Sequence, residues 1–108
     1  MIGAIIGDIV GSRFEWDNHR SKDFDFLTHK CFFTDDSVMS LAVCDALMHC
    51  KPDYSDLSNI TIESMQRIGR PYQHCGYGGS FYRWMYSDNP HPYNSYGNGA
   101  AMRVGGCD

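Results

Sequence analysis

Thr34-Asp35-Asp36-Ser37-Val38-Met39-Ser40-Leu41-Ala42-Val43-Cys44-Asp45-Ala46-Leu47-Met48-His49 is the stretch on which the fold turns. Thr34 has the chemistry of a helix N-cap, a side-chain oxygen that accepts from an otherwise unpaired backbone N–H. Asp35 and Asp36 then fall in the first turn, where the helix dipole favours negative charge. Val38, Met39, Leu41, Ala42, Val43, Ala46, Leu47 and Met48 place apolar groups on nearly every side of the helix that follows, the pattern of a central, buried helix. Lys51-Pro52 ends it.

Working outward toward the N-terminus, Ile2, Ile5, Ile6, Ile9 and Val10 recur at helical spacing and form an apolar stripe. Gly3, Gly7 and Gly11 make a second row without side chains, which another backbone or a ligand can approach closely. Three glycines cost an isolated helix about 2–3 kcal/mol, so tertiary contacts are expected to compensate. A strand followed by a glycine-rich nucleotide loop is the rival reading. It fits less well, because the spacing is GxxxGxxxG rather than GxGxxG and Asp8 interrupts it. On a helix, Asp8, Ser12 and Glu15 share one face. Residues 17–33 mix charges and aromatics without a period and read as a loop.

Toward the C-terminus, Asp56 or Ser58 can cap a third helix that runs to about Arg70, with Ile60, Met65 and Ile68 as its apolar positions and Pro71 as its stop. Gly76-Tyr77-Gly78-Gly79 reads as a loop, Ser80 to Tyr86 as a short helix, and Asp88 to Asn94, with Pro90 and Pro92, as irregular. Gly97-Asn98-Gly99 leads into a helix start at Ala100-Ala101-Met102-Arg103. No segment alternates like a strand, so the fold class is all-α.

The 108 residues suit one domain, and 43% hydrophobic content is adequate for a core. A net charge of −4 without a Lys/Arg run argues against nucleic acid or an anionic membrane as partner. No apolar stretch approaches the ~20 residues of a membrane helix, and the Met1-Ile6 start lacks the basic region of a signal peptide. The five cysteines, Cys31, Cys44, Cys50, Cys75 and Cys107, are odd in number and lack CxxC spacing. They point away from a disulfide scaffold or zinc ribbon and toward a reducing, cytoplasmic compartment. Cys44, inside an apolar run, reads as a small core residue.

Two chemistries fit Asp35 and Asp36. They can be a helix start with favourable dipole contacts, or, with the Thr34 hydroxyl, oxygen ligands for Mg²⁺, which keeps several waters and needs few protein groups. Asp8 and Glu15 are either solvated or capping acids or part of the same site. The glycine loops are either plain turns or places where backbone N–H groups receive an anion. The dense aromatics from Tyr72 to Tyr96 read mostly as core or groove wall, with one or two able to stack on a base or sugar. The five histidines show no ligand spacing.

Gly7-Asp8-Ile9-Val10-Gly11 with Glu15, then Thr34-Asp35-Asp36-Ser37, then Gly76-Tyr77-Gly78-Gly79, then Tyr96-Gly97-Asn98-Gly99-Ala100-Ala101-Met102-Arg103 resemble, in order, the motifs of the ADP-ribosylglycohydrolases. The resemblance implies part of an orthogonal multi-helix bundle with two Mg²⁺ ions at the bottom of a cleft. It implies Thr34, Asp35 and Asp36 as metal ligands, and Glu15 and Asp36 as the acids nearest the chemistry. It implies Gly78, Ser95, Tyr96, Gly97, Asn98 and Gly99 as the loops that hold the diphosphate and ribose. The family's remaining metal ligands come from a C-terminal Asp-x-Asp-Thr/Ser motif that has no counterpart here, and the family domain is more than twice as long. Residues 1–108 are therefore expected to be the N-terminal part of a single such domain, weak in metal binding by itself.

The activity so implied is Mg²⁺-dependent hydrolysis of the glycosidic bond between ADP-ribose and a protein side chain or small molecule. Two other functions fit the same motifs. One is an ADP-ribose or nucleotide-binding module without turnover, and the other a non-enzymatic structural relative like the lens proteins of the family. Retention of Thr34, Asp35, Asp36 and Glu15 favours the enzyme. A nucleophilic cysteine hydrolase lacks any visible Cys–His pair. Self-association through apolar faces left uncovered is a further expectation.

Overall fold

The computed structural model describes residues 1–107, with side chains through Gly105. Five helices make up the architecture: α1 Ile2–Gly11, α2 Asp35–His49, α3 Leu57–Gly69, α4 Gly79–Met85 and α5 Gly99–Met102. Short 3₁₀ turns follow at Ser12–Phe14, Arg70–Tyr72 and Val104–Cys107. No strand occurs among the described residues, and the all-α expectation stands. Helix boundaries fall within one or two residues of those read from the caps and prolines. None of the helices is long and apolar enough to cross a membrane.

α2 is the pivot. It packs along α3 and also meets α1, α5 and the C-terminal 3₁₀ turn. Val38, Met39 and Ala42 of α2 join Met65 of α3 in the core, against which Ile68, Tyr77, Phe81 and Trp84 pack. Met39 and Met85 are fully buried, each contributing about 1.5–3 kcal/mol of apolar burial. Ser40, Ala42, Ala46 and Ser64 lie in the same buried set, with Ser40 Oγ donating to the Met102 carbonyl at 3.4 Å. Gly69 ends α3 where a side chain would have to displace its neighbours, since a Cβ there would overlap Met85 Sδ and sit 2.9 Å from Met39 Cε.

α4 is too short to hold itself. Its last carbonyls are taken up from α3 and the turn after it. Gln66 Nε2 donates to the carbonyls of Trp84 and Ser87, both at 3.1 Å, and Arg70 Nε donates to that of Met85 at 2.7 Å.

Two expectations need correction. α2 is not buried on every side, because Leu41 is 44% and Met48 76% exposed. Its neighbours among the described residues cover one flank and leave the other in solvent. Likewise α1 uses only the C-terminal end of its stripe: Val10 is buried while Ile2 is 74% exposed. A methyl group at Gly3, Gly7 or Gly11 would meet nothing within 4 Å. The close approach that this row suggests does not occur among the described residues. Cys31, Cys44, Cys50 and Cys75 are free, half-buried thiols. The side chain of Cys107 and all of Asp108 lie outside the described residues.

Candidate functional site: an acid pair facing two glycine loops

The site is built on the first turn of α2. Thr34 caps it, its Oγ1 accepting from Asp36 N at 3.2 Å. The Asp35 N–H donates to the Cys75 carbonyl at 2.8 Å. That carbonyl is brought there by a turn through Gly76, whose φ of 98° is open to glycine and costly for other residues. Asp8 supplies the rest. One of its oxygens accepts from Thr34 N and Ser37 Oγ, each at 2.7 Å, and the other from Thr34 Oγ1 at 2.5 Å. With the first-turn donors satisfied by Cys75, Thr34 and Asp8, the carboxylates of Asp35 and Asp36 are left for the cleft they border.

That cleft encloses about 780 Å³. Glu15, Asp35 and Asp36 form its acidic side. Gly78 and the run Ser95, Tyr96, Gly97, Asn98 and Gly99 form the facing loops. Every residue expected at a catalytic or substrate position from the sequence thus borders one space. Thr34 does not. It is 2% exposed and lies behind the wall, its hydroxyl already engaged by Asp8 and Asp36. Asp8 is a tie between α1 and α2 rather than a lining acid. Ser12, the third member of the shared α1 face, is spent on the backbone, donating to Ile9 O and accepting from Phe32 N.

Aromatic and basic residues, among them two from the run read as core or groove wall, complete the lining. Trp16, 92% exposed, stands beside Glu15 on the rim. Phe81 and Trp84 stack at 5.3 Å to form an aromatic wall. The Arg103 guanidinium lies 4.6 Å over the Phe81 ring. Nothing local marks Trp16. The aromatic wall has one local cue, the i,i+3 spacing of Phe81 and Trp84, which reads equally well as core.

Electrostatically the acid side is under strain. Burial first, then Asp36 and Glu15 and, more weakly, Asp8 push the Asp35 carboxyl up to about 6. Burial and Asp8 push Asp36 upward, partly offset by Arg103. Burial, Asp35 and Asp8 raise the Cys75 thiol behind them, and burial raises the Tyr77 phenol. Among the described residues the ion pairs are those of Asp45 with Arg67 and His49, so neither Asp35 nor Asp36 has a cation in contact.

An uncompensated pair of oxygen donors is the donor set a hard divalent cation takes. No three His, Cys, Asp or Glu side chains among the described residues converge tightly enough to hold an ion by themselves. The residues present therefore fit one side of a Mg²⁺ site, with water and other groups completing the shell.

A small helical fold with an acid-walled cleft faced by glycine loops is the class of structure in hand. The chain matches the ADP-ribosylglycohydrolase family over residues 1–106 and belongs to that family, one of glycoside-cleaving hydrolases. No curated protein and no solved structure matches it.

Proposed function

We propose that the protein hydrolyses the glycosidic bond joining ADP-ribose to a protein side chain or small molecule, with Mg²⁺ as cofactor. The convergence of Asp35, Asp36, Glu15 and both glycine loops on one cleft carries this reading. Asp35 and Asp36, with Thr34 behind them, would hold magnesium. Further ligands for a two-ion site would come from water and from a downstream Asp-x-Asp-Thr/Ser motif, residues 1–108 forming the N-terminal part of the domain. When bound, the ion supplies Lewis acidity that lowers the pKa of a water.

The chain's own groups do the remaining work. Gly78 and the segment from Ser95 to Gly99 seat the diphosphate and ribose. Glu15 or Asp36 takes a proton from the attacking water as oxocarbenium character develops at the anomeric carbon. The water oxygen bonds to that carbon, its bond to the leaving nitrogen or oxygen breaks, and the leaving group picks up a proton. The exposed apolar flanks of α1 and α2 support self-association.

The test is release of ADP-ribose from Arg- or Ser-modified peptides by the full-length gene product, with Mg²⁺ and with chelator. Product with Mg²⁺ alone is expected. No product at saturating Mg²⁺ removes the enzyme, and calorimetric ADP-ribose binding in that same sample would leave a binding module.

A further inference from the structure

Arg103 is the one cationic side chain bordering the cleft among the described residues, which it shares with three carboxylates. Its guanidinium carbon lies 4.6 Å over the Phe81 ring, which in turn stacks on Trp84 at 5.3 Å. On the other side the glycine loop presses close, and a Cβ at Gly99 would come within 3.1 Å of Arg103 Nη2. Aromatic ring and glycine backbone thus crowd the guanidinium where it borders the cleft.

A guanidinium held this way normally spends its donors on acceptors nearby. Arg70 shows the structural use in this same protein, donating to the carbonyls of Met85 and Ser87. Arg103 makes no such bond among the described residues, and its buried Nε has no partner. Among the described residues no carboxylate oxygen comes within ion-pair distance of it, the ion pairs being those of Asp45. Burial also disfavours its charge. A half-buried fork without a partner among the described residues, bordering a cleft, has the form of a receptor for a planar or tetrahedral oxyanion.

We propose that Arg103 is the residue through which the cleft recognises the phosphate charge of its ligand, a nucleoside diphosphate such as ADP-ribose. The proposal rests on the reading that the cleft takes ADP-ribose, and names the group that discriminates its diphosphate from the uncharged ends. Arg103 answers the acid side electrostatically. Without it, an anionic ligand would meet three carboxylates and no fixed cation among the described residues.

The experiment compares binding of ADP-ribose, adenosine and inorganic pyrophosphate by the full chain and its R103Q and R103K variants, in metal-free and Mg²⁺ buffers. R103Q is expected to weaken ADP-ribose and pyrophosphate about tenfold or more while leaving adenosine unchanged. R103K should fall between, keeping the charge and losing the fork. Equal binding of ADP-ribose by R103Q and the unsubstituted protein overturns the proposal. So does a parallel loss of adenosine, which marks Arg103 as a brace of the loop. If the unsubstituted protein binds pyrophosphate through Arg103 but not ADP-ribose, the anion site stands and the ADP-ribose reading falls. Binding of neither overturns both.

Discussion

Asp8 and Thr34, 26 positions apart, are joined twice through one carboxylate, from the Thr34 backbone N–H at 2.7 Å and from its hydroxyl at 2.5 Å. The same carboxylate receives Ser37 Oγ at 2.7 Å. Thr34 and Ser37 are both buried, so water cannot readily replace Asp8. The position of the acid pair at the head of α2 depends on a residue that does not itself face the cleft.

Asp8→Ala leaves three buried donors unpaired and is expected to cost about 2–4 kcal/mol, with Asp8→Asn costing about half as much because one acceptor oxygen survives. Urea unfolding followed by circular dichroism checks this. A midpoint unmoved in Asp8→Ala would mean that α1 contributes nothing to holding the turn.

Asp35 makes the metal-free protein more stable in mild acid than at neutral pH. Its carboxyl titrates at about 6 in the folded chain, raised chiefly by burial, against about 3.9 when unfolded. The folded state binds this proton more tightly, so its contribution to stability is complete below about pH 4 and is lost as pH rises through 6. Solvent screening at a half-exposed carboxyl holds the change to about 1 kcal/mol or less. Unfolding in chelator across that range should show a slope that Asp35→Asn flattens. An identical slope in the variant would assign the effect to other groups.

Asp35→Asn and Asp36→Asn are each expected to weaken Mg²⁺ binding about tenfold or more while the helical signal is retained, because charge is removed from an oxygen set without altering its size. Calorimetric titration with Mg²⁺ measures it. Wild-type affinity in both variants would remove these acids from the metal site.

Glycine substitutions should change stability with opposite signs. At Gly7 a methyl meets open space, so Gly7→Ala is expected to stabilise the chain by about 0.5–1 kcal/mol. At Gly69 the same methyl runs into the fully buried Met85 and Met39. Overpacking there costs about 1–3 kcal/mol, which outweighs the helix propensity gained. Thermal melts of the two variants should move apart. A stabilised Gly69→Ala would show that the two methionines yield freely.

The contrast between those glycines marks where sequence reading reaches and where it stops. The α2 cap and first turn were legible because Thr34, Asp35 and Asp36 act on N–H groups one to three residues away. Helix ends at Lys51-Pro52 and Pro71 were legible for the same local reason. The Asp8 tie was not, since nothing within a turn of Asp8 signals a partner 26 positions later. Nor was the fate of the Gly3, Gly7 and Gly11 row, whose spacing states only that a close approach is permitted. Glu15 and the two loops were gathered into one cleft by motif order, and the structure places them around one space. Arg103 was visible as a basic residue at a helix start. That its guanidinium lies over Phe81 and close to Gly99, without a partner among the described residues, depends on residues that come together only in the fold.

The tie between Asp8 and Thr34 also acts as a clasp on the irregular segment between them, which Arg13 fastens again by bonding Thr28 Oγ1 at 2.7 Å. For a flexible connection the entropy lost on closure grows only with the logarithm of its length, about 0.6 kcal/mol for each doubling. The segment can therefore be lengthened at little thermodynamic cost, provided that Arg13 with its acceptors Thr28 and Asp25, the Phe14–Phe24 contact and both ends of the clasp remain. The rim beside Glu15 and Trp16 is thus free to diversify while the acid pair behind it stays in register.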